Sequence, residues 1–209
     1  MTGRVSTQLP RMALRRATRG TGSHEDLYDR RTSVQPIPKL VSVLGSLRWA
    51  LIEGVALRAY APERMTLDVD IVVHEHDSRR AREAFIGAGY EIVGDSSIGG
   101  FTAREDTPDA MPVDVISRSD AWLEDALASP RFDDAGYPVL ARPYLTLLKL
   151  QAGRTQDLAD VLRLLASTPP DERASTRRLV ATHVPDLVED YESLITLSDL
   201  EFGPPREEQ

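Results

Sequence analysis

The sequence predicts an α/β (α+β) fold, a mixed β-sheet flanked by helices and followed by a C-terminal helical lobe. Three observations point there. A run rich in β-branched residues, 66–73, leads into an amphipathic helical segment at 78–88. Further short strand-like segments follow, separated by Gly, Ser, Asp and Pro clusters. Beyond Ser119 the apolar residues recur mostly at helical spacing.

Of the 209 residues, the first 31 hold seven arginines against Glu25, Asp26 and Asp29, a net charge of +4. The rest of the chain carries −12, so the total of −8 hides an asymmetry. Residues 1–37 therefore read as a solvated basic arm, a composition that also suits an organelle transit peptide. Pro36 and Pro38 close the arm, because proline cannot continue a helix.

Residues 38–142 are expected to form the α/β core. Within it, 40–47 has helical spacing, 48–52 is a brief apolar strand broken at Glu53-Gly54, and 55–60 is a turn or two of helix stopped by Pro62. The run 66–73 is the central strand. Asp77 or Ser78 caps the next helix, which places Ala81, Ala84, Phe85 and Ala88 on one face and ends at Gly87 and Gly89. Strands over 90–93, 100–104 and 112–116 and a helix over 121–128 complete the core.

A helical lobe is expected over 143–203, with a tail at 204–209. Its helices cover 143–152, a segment capped by Thr155, 171–181 and 186–200. In the second of these, Leu158, Val161, Leu162 and Leu165 fall at offsets 0, 3, 4 and 7, an apolar stripe. There is no internal repeat and no long linker.

Composition excludes several classes of function. Cysteine is absent, which removes disulfides, thiolate zinc sites and cysteine nucleophiles. No apolar run approaches the ~18 residues that span a bilayer, and no apolar segment of signal-peptide type follows the basic N-terminus. A cytoplasmic protein without a membrane partner is the expectation. The acidic body discourages a broad contact with nucleic-acid phosphates, which the arm would have to supply.

Three carboxylates carry the chemistry. Strand alternation over 66–73 points Asp68 and Asp70 the same way, while Leu67, Val69 and Ile71 face the core. Asp114 lies in Pro112-Val113-Asp114-Val115-Ile116, enclosed by strand formers, and joins the same cluster if its strand pairs beside the first. Carboxylates crowded in this way need a cation, and Mg²⁺ takes oxygen ligands. Upstream, a strand–Gly54–helix turn presents backbone N–H groups to a phosphate.

Other residues carry weaker signals. His74-Glu75-His76 has two readings, a zinc-binding triplet or part of a loop over the site. Trp49 and Trp122 read as core anchors, and His24 and His183 have no evident partners. The turn from Gly94 to Gly100 lacks the Gly-Lys-Ser/Thr of a P-loop.

Ile52-Glu53-Gly54, thirteen residues between Gly54 and Asp68, Arg64-Met65-Thr66-Leu67-Asp68-Val69-Asp70 and the later Val113-Asp114-Val115 together resemble the nucleotidyltransferase superfamily related to DNA polymerase β. Together with the stretch from Leu147 to Val161, the Arg-x-Thr-x-Asp-x-Asp run resembles its small prokaryotic branch of AbiEii-like toxins and minimal nucleotidyltransferases. The likeness covers roughly residues 40–166.

The resemblance implies a nucleotidyltransferase-like fold and transfer of a nucleoside monophosphate from a nucleoside triphosphate to a hydroxyl of tRNA, a cognate protein or a small molecule, with a place in a toxin–antitoxin pair. It also implies that Asp68 and Asp70 bind two Mg²⁺ ions, or Mn²⁺ in their place, with Asp114 completing the site. Gly54 would lie under the β- and γ-phosphates, with Arg64 and Thr66 beside them. Lys149, Arg154 and Asp157 match the family's Lys-Leu-x-x-x-Arg-x-x-Asp stretch, in which the basic residues face nucleotide or acceptor and the Asp holds them.

Glu53 departs from the family pattern, which has Gly or Ser there. A carboxylate beside a triphosphate repels it, so weakened nucleotide binding is expected. The alternative is a noncatalytic binding or antitoxin-like module on the same fold. Nothing in the sequence sets the oligomeric state.

Overall fold

The computed structural model describes residues 38–61, 66, 68–97, 99–107 and 110–205. Helix α1 (Leu40–Leu44) precedes strand β1 (Trp49–Leu51) and the short helix α2 (Glu53–Leu57). Strand β2 (Val69–His74), a 3-10 turn over Glu75–Asp77 and helix α3 (Ser78–Gly87) follow. Then come β3 (Tyr90–Asp95), β4 (Gly100–Glu105), β5 (Val113–Arg118) and helix α4 (Leu123–Ala128). Two short strands, β6 (Arg131–Phe132) and β7 (Pro138–Val139), lead to four helices: α5 (Arg142–Ala152), α6 (Thr155–Ala166), α7 (Pro170–His183) and α8 (Val188–Phe202).

The mixed α/β class holds. The strands form one sheet in the order β3-β4-β5-β2-β1-β7-β6, in which β2 pairs with β5 and β1 with β7 in parallel while the other pairs are antiparallel. Strands β6 and β7 escape sequence reading because two residues are too few to show a period.

Packing follows from alternation on the strands. Val69, Ile71 and Val73 of β2 and Val113 and Val115 of β5 are fully buried. Phe101 of β4, which pairs with Val115, meets Phe85 of α3 edge-on at 5.8 Å between ring centroids, and Phe85 meets Tyr90 in the same manner at 5.1 Å. The predicted anchors Trp49 and Trp122 are buried, the latter stacked on Tyr144. Among the described residues, no helix is long and apolar enough to cross a membrane.

Two expected caps differ. Asp77 precedes α3, but its side chain makes no cap bond; it is buried and pairs with Arg80 and His76. Thr155 is the first residue of α6 instead of its cap. The elbow between α5 and α6 is made by Gly153, whose φ of 64° permits its N–H to reach the Lys149 carbonyl at 3.1 Å. That elbow sets the direction in which α6 presents its buried face.

Candidate active site

Strand β2 begins at Val69, so Asp68 lies in the bend before it and pleat alternation does not align it with Asp70. A hydroxyl sets its position instead: Thr66 Oγ1 donates to Asp68 Oδ1 at 2.7 Å. Asp70 lies directly across from Asp114 in the parallel β2–β5 pairing, and Asp114 from Thr102 in the antiparallel β5–β4 pairing. Residues paired in this way project from one face of the sheet. Thr102 Oγ1 donates to Asp114 Oδ1 at 2.5 Å. The turn after β1 joins them through Ile52 N–H, which donates to the Asp70 carbonyl at 2.9 Å.

All three carboxylates are half-buried. Burial, followed by the charges of Asp68, Glu53 and Asp114, pushes the Asp70 carboxyl up to about 7; Lys149 opposes this only in part. Such an excess of negative charge suits a divalent cation with oxygen ligands, which Asp68, Asp70 and Asp114 would hold. Their ligand oxygens do not all lie within 4.8 Å of one another, unlike those of Glu53, Asp157 and Asp160.

The second cluster already surrounds a cation. Lys149 Nζ is fully buried and donates to Glu53 Oε2 at 2.7 Å, Asp160 Oδ2 at 3.0 Å and Asp157 Oδ1 at 3.3 Å. Three carboxylates take the three donors of one ammonium. Burial alone would lower the Lys149 pKa, but Glu53 and Asp160 outweigh it and raise the pKa above its ordinary value. A metal there would have to displace this ammonium. Lys149 Nζ is thus enclosed by carboxylates, of which Glu53 is the most exposed.

Arg154 remains outside, with its side chain 65% exposed. Its Nε and NH2 groups grip Asp157 at 2.6 and 3.2 Å, and NH2 also donates to Glu53 Oε1 at 3.0 Å. Burial would raise the Asp157 pKa, yet Arg154 and Lys149 hold it below the ordinary carboxylate range. Asp157 therefore holds the two basic residues together. The buried face of α6 is Asp157, Asp160, Val161, Leu164 and Leu165, one residue out of step with the expected stripe, because Lys149 draws two aspartates inward. Leu158 and Leu162 are only half-buried.

Glu53 makes the turn between β1 and α2 with a φ of 54°, a left-handed conformation that favours glycine. Helix α2 starts at Glu53, not at 55, so Gly54 is buried inside its first turn instead of standing before it. The Glu53 side chain points to Lys149 and Arg154. Arg64 lies outside the described residues.

The triplet His74-Glu75-His76 is not over this site. Asp70 is near the start of β2 and His74 ends it, four residues and about 13 Å further on. The two imidazoles lie against each other at 4.1 Å between centroids, tilted by 31°, and among the described residues they join no cluster of metal-ligating groups. Sequence reading missed Thr102 and Asp160. Asp160 had a signal available, since it follows Asp157 by three residues on one helix face; Thr102 had none, being an ordinary strand former within Gly-Phe-Thr-Ala-Arg-Glu.

Neither the protein-family models nor the curated proteins offer a match to this sequence. Among solved structures, the chain is similar to the antibiotic-resistance factor ANT(2'')-Ia in solution, with 14% identity over 74% of this chain and 95% of that one and a TM-score of 0.47. The same factor in a crystal with adenylyl-2''-tobramycin gives 15% identity over 78% and 96%, with a TM-score of 0.43. An antigenic nucleotidyltransferase-like protein from Paracoccidioides brasiliensis gives 14% identity over 73% and 90%, with a TM-score of 0.42. These are loose likenesses of chain path.

Proposed function

We propose that this chain is a metal-dependent nucleotidyltransferase, moving a nucleoside monophosphate from a nucleoside triphosphate to an acceptor hydroxyl. The observation that carries this reading is the cross-strand pair Asp70 and Asp114 beside Asp68, where burial and then the neighbouring carboxylates raise the Asp70 carboxyl to about 7. Crowded carboxylates on the rigid strands of a sheet are suited to gathering positive charge at a fixed point. Asp68, Asp70 and Asp114 would hold two Mg²⁺ ions, or Mn²⁺ in their place, which would supply positive charge to offset that of a triphosphate.

The chain's own residues do the positioning. Thr66 and Thr102 fix the two outer carboxylates. Asp114 Oδ1 is engaged by Thr102, and Oδ2 takes the acceptor proton. The acceptor oxygen bonds to the α-phosphorus as the bond to the bridging oxygen breaks, and pyrophosphate leaves with that electron pair. Arg154, exposed at the rim, meets the phosphates, while the first turn of α2 around Gly54 backs them. Thr66, bonded to Asp68, borders the same site.

Incubation with each labelled nucleoside triphosphate, Mg²⁺, bulk tRNA and cell lysate tests this. Label on tRNA identifies an RNA acceptor of the kind expected of a toxin component; label on protein or a small molecule identifies those instead. Asp70→Ala should abolish incorporation while circular dichroism shows the fold kept. Wild-type labelling by that variant overturns the proposal.

A further inference from the structure

We propose that Glu53 is a tethered anion whose carboxylate fills a phosphate seat formed by Lys149 and Arg154, and that it must leave for a polyphosphate to bind; only the naming of that ligand rests on the transfer reading above.

Each carboxylate oxygen of Glu53 meets a different cation, Oε2 on Lys149 at 2.7 Å and Oε1 on Arg154 at 3.0 Å. A phosphate group offers the same arrangement, with two oxygens bridging an ammonium and a guanidinium. The seat does not depend on Glu53 for its shape. Asp157 and Asp160 still hold Lys149, and Asp157 still grips Arg154 through two N–H groups. Both cations thus stay in place when the Glu53 carboxylate departs.

Charge balance favours the exchange. Lys149, Arg154 and Arg163 are offset by Glu53, Asp157 and Asp160, so withdrawing Glu53 leaves the group one unit positive. The backbone at Glu53 is also strained, since a residue with a β-carbon is disfavoured at a φ of 54°.

Calorimetric titration with inorganic tripolyphosphate in Mg²⁺ buffer tests the exchange in the full chain. Glu53→Gln and Glu53→Gly remove the carboxylate, and Gly also suits the left-handed turn, so at least one variant keeps the fold. Each should bind tripolyphosphate about tenfold more tightly than wild type. Adding Arg154→Gln to Glu53→Gln should remove most of that gain. Equal or weaker binding by both single variants overturns the proposal and makes Glu53 a clamp that shapes the site. Tighter binding without any nucleotide incorporation supports the seat and overturns the transfer reading, whereas incorporation without tighter binding does the reverse.

Discussion

Asp70 and Asp114 stand opposite each other on adjacent parallel strands, and the negative charge of Asp114 is one of those that raise the Asp70 carboxyl to about 7. Burial is the larger cause, and Asp68 and Glu53 add to it. The folded protein therefore holds a proton on Asp70 at pH values where the unfolded chain, near 3.8, has released it. Stability from this group is fully present below about pH 4 and is lost as pH rises through about 7. Thermal unfolding in chelator should show the melting temperature of wild type falling relative to Asp70→Asn between pH 5 and pH 8, worth on the order of 2 kcal/mol. Mg²⁺ should restore wild type alone at the upper end. Parallel pH profiles for the two proteins would refute the crowding.

Thr102 holds one oxygen of Asp114. Thr102→Val keeps the volume and deletes the hydroxyl, so stability should fall by about 1 kcal/mol. On the proposed function the transfer rate should fall about tenfold with KM for nucleotide little changed, an effect of about 1.4 kcal/mol on the transition state. Thr102→Ser should recover it. A rate unchanged in the Val variant would remove Thr102 from the site.

Lys149 is the buried counter-ion of three carboxylates. Lys149→Met fills similar space but leaves those charges without it, and should destabilise by about 3–5 kcal/mol in urea titration. A loss below about 1 kcal/mol would mean that the ammonium is not buried among them.

Gly100 lies where β4 passes β5 with a φ of 105°, and a β-carbon there would stand 1.8 Å from the Val115 carbonyl oxygen. Gly100→Ala should therefore cost more than about 3 kcal/mol and disturb the neighbouring Asp114. At Gly94, a β-carbon meets nothing within 4 Å, and Gly94→Ala should stay within about 1 kcal/mol. Similar melting temperatures for the two variants would contradict the pairing of β4 with β5.

The sequence by itself determined the α/β class, the order of the longer elements and the presence of aspartates inside strand-forming runs. Period-2 and period-3.6 patterns are local, so β5 around Asp114 and α6 after Gly153 could be read from neighbouring residues alone. Tertiary structure decided the rest. Pairing across the sheet put Asp70 opposite Asp114, a relationship between residues far apart in the chain. The elbow at Gly153 carried Lys149 and Arg154 to Glu53, about a hundred residues away in sequence. The meaning of Glu53 changed most. As a letter in the chain it is a charge that repels phosphate, but in the fold it is the partner of two cations, because electrostatics depends on distance in space and on burial, neither of which is written in residue order.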